Sequence, residues 1–98
     1  MKINLYQDDL PEGLQLGDSI AIDSETMGLN PKRDKLCLVQ ISKGDNICHL
    51  VKINQFNKKP KNLIRILKNN KVEKIFHFAR FDVAVFKYNF KINIKNIY

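Results

Sequence analysis

The chain has 98 residues, of which 44% are apolar and 28% charged, and a formal net charge of +7. That length predicts a single domain, and the apolar fraction is too high and too well patterned for a disordered tail. No segment is long and apolar enough to span a bilayer. The opening MKINLYQDDLPEGLQ lacks the apolar core of a secretory signal, so the expected setting is the cytoplasm, with no membrane partner. Cys37 and Cys48 form no C-x-x-C motif. Both fall in β-like segments and read as buried thiols, not as a disulfide framework or a zinc site.

The alternation of Lys2-Ile3-Asn4-Leu5-Tyr6 predicts a short strand, and Asp8 to Gly13 a loop. Ser19 to Asp23 is a second strand, and Leu29 to Asp34 a connecting loop. Leu36 to Ser42 and Ile47 to Val51 flank the turn Lys43-Gly44-Asp45-Asn46, which predicts an antiparallel hairpin. The period then changes. Leu63, Ile64, Ile66 and Leu67 are spaced as on a helix, with Pro60 near its start. Lys74 to His77 reads as a buried strand, Ala79 to Tyr88 as a second helix, and Asn93 to Tyr98 as the beginning of another strand. The predicted class is α/β: a mixed sheet in which antiparallel strands come first and βαβ units follow.

Positive charge comes from 17 Lys and Arg against 10 Asp and Glu. It is spread from Lys2 to Lys95 and is densest around Lys58-Lys59-Pro60-Lys61. Such a balance favours a polyanionic partner, and it also describes a solvated lysine surface. His49, between Cys48 and Leu50, reads as a half-buried strand histidine. Phe76, Phe78, Phe81 and Phe86 read mainly as core.

Two segments put polar residues where packing alone would not. In Ile22-Asp23-Ser24-Glu25-Thr26, strand alternation points Asp23 and Glu25 the same way. Adjacent carboxylates repel unless a cation lies between them, and Mg²⁺ or Mn²⁺ suits carboxylate oxygen. An edge strand ending at a turn would produce the same residues. In the second segment, Phe78, Asp82 and Phe86 share one stripe of a helix, so Asp82 is a carboxylate on an apolar face. Burying it costs several kcal/mol unless it is paired or bound to metal. A salt bridge within the core is the alternative. Carboxylates that converge on two divalent ions suit phosphodiester hydrolysis: one ion activates water and the other stabilises the leaving oxygen.

Ile22-Asp23-Ser24-Glu25-Thr26-Met27-Gly28-Leu29 resembles the first motif of the DEDD superfamily of 3′-5′ exonucleases, and His77-Phe78-Ala79-Arg80-Phe81-Asp82 resembles the second. From Leu5 to Tyr98 the chain is similar to the RNase D-like branch and its small nano-RNase members. The resemblance implies a ribonuclease H-like fold, two divalent cations (Mg²⁺ or Mn²⁺), and removal of nucleotides from RNA 3′ ends or from short oligoribonucleotides. It makes Asp23, Glu25 and Asp82 the first three acidic ligands, with Glu25 also near the terminal 3′-hydroxyl. Thr26, Met27, Gly28 and Leu29 match the segment lining the terminal nucleotide. His77 and Phe81 match positions beside the scissile phosphate and the site wall. The family's third motif, Tyr-x-x-x-Asp or its His variant, has no counterpart, and no Asp or Glu follows Asp82. Residues 1–98 therefore read as a partial exonuclease domain that stops before the C-terminal helices. The expectation is a weak or inactive nuclease by itself, with a separate C-terminal half or a homo-oligomer as further partner, or else a non-catalytic binding remnant.

Overall fold

The computed structural model describes residues 1–28, 30, 34–54, 58–77 and 79–98. Among the described residues four strands precede the first helix, in the order β1 (Lys2–Gln7), β2 (Ser19–Thr26), β3 (Leu36–Ser42), β4 (Ile47–Lys52), α1 (Lys61–Lys68), β5 (Glu73–Phe76) and α2 (Ala79–Phe90). The sheet order is β1-β4-β3-β2-β5. The β3–β4 hairpin forms as its turn chemistry predicts, with Gly44 and Asn46 both at positive φ. β2 pairs antiparallel with β3 and parallel with β5.

One expectation is corrected at β1. It does not join an antiparallel opening. It pairs parallel with β4, Leu5 opposite Leu50 and Tyr6 opposite Val51, because the long 8–18 connection lets the chain cross before β2. The last expected strand reduces to a bridge between Ile97 and Lys74. The loop expected at Leu29 to Asp34 lies mostly outside the described residues, as does Phe78.

β1, β4, β2 and β5 run in one direction and β3 in the other. The C-terminal ends of the four parallel strands therefore share one edge of the sheet, and both helices start from that edge. Alternation gives the sheet two unlike faces. Ile20, Ile22, Val39, Ile41 and Val51 are buried with Leu63 and Leu67 of α1 and Val85, Phe86 and Phe90 of α2. On the opposite face Ile3, Leu5 and Ile75 remain exposed. His49 sits on the covered face and is buried, not half-buried as expected. Its Nδ1 lies 3.0 Å from the Tyr6 hydroxyl and the two rings stack. Cys48 is buried and Cys37 half-buried, both as free thiols.

α1 begins at Pro60 without a capping side chain of its own. The cap comes from the loop after β1: the Asp9 carboxylate accepts the backbone N–H of Asn62 at 3.0 Å and that of Leu63 at 2.9 Å. It satisfies two orphan donors and opposes the positive helix end. Asp9→Ala is expected to cost about 1–2 kcal/mol. Urea denaturation would check this, with Asp9→Asn recovering part of the loss.

Candidate functional site

The site is built at the shared C-terminal edge of the parallel strands. β2 carries the sequence Ser19-Ile20-Ala21-Ile22-Asp23-Ser24-Glu25-Thr26, in which Ile20, Ile22 and Ser24 are buried while Asp23 and Glu25 are exposed. The two carboxylates do share a face, as alternation requires, and it is the helix-free one. Ser24 turns the other way, toward α2. There its hydroxyl donates to Asp82 Oδ1, and its backbone N–H donates to Asp23 Oδ1 at 2.9 Å. Ser24 thus joins the two acidic motifs through one residue.

Asp82 lies in the first turn of α2 and is 2% exposed. The buried stripe expected there is present, with Asp82, Val85 and Phe86 on one side of the helix. Burial pushes the Asp82 carboxyl above its ordinary range, and the nearby Asp23 charge pushes it further. The Ser24 hydrogen bonds and the charge of His77 act in the opposite direction. Asp82 and Asp23 are therefore within electrostatic reach of each other. Among the described residues, no three Asp, Glu, His or Cys side chains gather closely enough to hold a metal ion. The donor set that does form, a buried carboxylate with a second acidic group beside it, has the hard-oxygen chemistry that Mg²⁺ and Mn²⁺ prefer.

The remaining sequence-predicted residues lie on the segments that carry this pair, after Glu25 and around the start of α2. The β2–β3 register shifts between Glu25 and Thr26, an irregularity of the kind that re-aims a strand end. The Thr26 hydroxyl then donates to the Gly28 carbonyl, and Met27 is 70% exposed. Gly28 packs against the Asp34 carboxylate: a Cβ there would lie 2.7 Å from Asp34 Cγ, so a larger residue would have to displace that side chain. Leu29 lies outside the described residues. His77 is exposed, and Phe81 is half-buried against the core. Sequence reasoning passed over Ser24, although a polar residue at an inward position after Ile20 and Ile22 was a signal. It also passed over Asn89, whose Oδ1 accepts the Leu36 N–H at 3.1 Å and whose amide donates to the Val85 carbonyl at 2.8 Å. Asn89 ties α2 to β3 and so holds Asp82 against β2.

The family model described as 3′-5′ exonuclease matches residues 6–98. No curated protein sequence matches the chain. Among solved structures, Brucella melitensis NrnC with bound Mg²⁺ is 43% identical with a TM-score of 0.94, covering 100% of this chain and 49% of that one. The same protein bound to pGG is 43% identical with a TM-score of 0.93, covering 100% and 48%. Escherichia coli RNase D, at 23% identity and a TM-score of 0.65 over 82% of this chain and 21% of that one, shares the fold. The chain spans about half the length of the NrnC structures it matches. The mixed five-stranded sheet with its helices is the ribonuclease H-like exonuclease fold, and the chain belongs to the 3′-5′ exonuclease family of the DEDD superfamily.

Proposed function

We propose that this chain carries the first two acidic motifs of a metal-dependent 3′-5′ exoribonuclease acting on RNA 3′ ends or short oligoribonucleotides. One observation carries the reading: Asp82 is buried on an apolar helix face, held by Ser24 beside Asp23, where no packing role explains a carboxylate. Asp23, Glu25 and Asp82 would hold divalent cations. The ions would supply an activated water and stabilisation of the leaving oxygen. Thr26, Met27, Gly28 and Leu29 would line the terminal nucleotide, with His77 and Phe81 beside the phosphate. The similarity to NrnC structures with Mg²⁺ and with pGG supports both the ions and a short RNA substrate. A second reading is a nucleic-acid-binding or interaction module without turnover, which the net charge of +7 also suits.

The test is a Mn²⁺ titration followed by heat denaturation, together with hydrolysis of a 5′-labelled oligoribonucleotide. Metal that binds the folded state raises its apparent stability by mass action. The expected result is a rise in Tm that Asp23→Asn removes. The same substitution should lower any hydrolysis by about a hundredfold or more. The absence of a metal-dependent shift in the wild-type chain would overturn the metal reading. A shift without hydrolysis would favour the second reading.

A further inference from the structure

From Asn46 to Val72 the sequence contains no Asp or Glu, while Lys52, Lys58, Lys59, Lys61, Arg65, Lys68 and Lys71 all fall there. The fold sorts these cations. At about 100° per residue, Lys61, Arg65 and Lys68 share one side of α1, opposite Leu63 and Leu67. All three are exposed, as are Lys58, Lys59 and Lys71, while Leu63 and Leu67 are fully buried. The result is a cationic stripe along the outer side of the helix. From Lys61 to Lys68 it spans about 10 Å. Its Lys58–Lys61 end lies at the start of α1, the edge of the sheet where β2 and β5 also end.

The stripe adjoins a cleft. Between the 11–18 loop and α1 lies a concavity of about 330 Å³ whose polar lining is Gln15, Asp18, Asn62, Arg65, Asn69 and Lys71, on an otherwise largely apolar wall. Arg65 belongs to both features, and its guanidinium is braced by a 2.9 Å hydrogen bond to Asn62 Oδ1. A flat anionic surface would meet the stripe but leave the cleft unused. A single nucleic-acid strand fits both, with phosphates along the cations and an unstacked base among the amides and the carboxylate of the cleft.

We propose that the outer side of α1 and the adjoining cleft bind the phosphodiester backbone and one base of a single-stranded nucleic acid. The surface shares no residue with the Asp23–Asp82 site, although its Lys58–Lys61 end lies at the same edge of the sheet, and it would engage parts of a strand beyond the reacting end. The choice of nucleic acid rests on the exonuclease reading. The charge pattern and the cleft stand without it.

Binding of a labelled single-stranded RNA of about a dozen nucleotides is measured by anisotropy in EDTA, where metal-dependent turnover is stopped. K61E/R65E/K68E is expected to weaken binding by about tenfold or more at low salt. It should also reduce the slope of log affinity against log salt by about two, since each phosphate contact on a single strand contributes about 0.7. K61Q/K68Q, which adds no repulsion, should give a smaller change in the same direction. Circular dichroism should be unchanged, and the Mn²⁺-dependent rise in Tm should persist. Unchanged RNA binding in both variants, or no binding by the wild-type chain, would overturn the proposal. So would binding to phosphatidylserine vesicles that depends on these residues and outcompetes RNA. If the Mn²⁺ shift is absent while RNA binding still depends on the stripe, the metal reading falls and this surface stands.

Discussion

Asp82→Asn is expected to stabilise the metal-free chain at neutral pH while removing its response to Mn²⁺. The carboxylate is 2% exposed, faces the buried side of α2 and lies within reach of the Asp23 charge. The Ser24 hydroxyl hydrogen bond and the His77 charge offset part of that cost. Asn keeps the shape and an acceptor for the Ser24 hydroxyl but carries no charge, so the gain at pH 7 should be about 1–3 kcal/mol. The pH dependence has a definite sign. Asp82 titrates above its ordinary 3.8 in the folded chain. Between that value and its raised one, the folded state holds a proton that the unfolded state has released. Stability tied to this group is therefore full at acid pH and falls as pH rises through the folded pKa. The wild-type and Asn chains should converge near pH 4 and diverge toward neutrality. Urea denaturation in EDTA across that range would show it. An Asn variant less stable than wild type at pH 7 would mean that the Ser24 bonds and His77 more than compensate the buried charge. With Mn²⁺ present the order should reverse, since only the wild-type chain gains from the ion.

That contrast ties function to stability through one residue, and the sequence already displayed half of it. Asp82 among Phe81, Val85 and Phe86 is visible as a misplaced carboxylate because helical periodicity is local. The common facing of Asp23 and Glu25 is visible for the same reason, since strand alternation needs no knowledge of neighbours. What stayed hidden depends on partners far along the chain. The α1 cap is supplied by Asp9, more than fifty residues before Leu63, so no local cap motif announces it. The parallel pairing of β1 with β4 depends on a crossing of the 8–18 connection that hydrophobic pattern does not encode. The role of Ser24 depends on Asp82, 58 residues further along the chain, which its hydroxyl meets only once α2 packs on the sheet. The stripe on α1 was legible as composition but not as a surface, because the spread of lysines resolves into one side only when Leu63 and Leu67 are known to be buried.

β5 offers the sharpest disagreement between pattern and packing, and with it the second large effect. Lys74 to His77 reads as a buried strand, yet in the fold the apolar Ile75 is 39% exposed while the charged Lys74 is 0% exposed. Register explains why, since Lys74 pairs with Ile20 on the covered face of the sheet. Its Nζ donates to the Asn69 carbonyl and, at 2.8 Å, to the Lys95 carbonyl, while its backbone bonds Asn96 and Tyr98. Lys74 thus fastens the 95–98 segment to β5. Two carbonyls do not neutralise an ammonium, and burial pushes its pKa down from 10.5 to about 8. Below pH 8 the folded chain carries an unfavourable buried charge. Between pH 8 and 10.5 the unfolded state binds the proton and the folded state does not, so stability from this group rises with pH across that window. The gain should reach at most about 3 kcal/mol by pH 10.5. Lys74→Met fills the same space without a charge. At pH 7 the loss of two hydrogen bonds and the relief of desolvation should leave it within about 1 kcal/mol of wild type. Its stability should lack the alkaline rise. Chemical denaturation of both chains from pH 7 to 10 isolates the group, because other titrations cancel in the difference. Parallel profiles would mean that Lys74 holds its proton in the folded state as firmly as in the unfolded one.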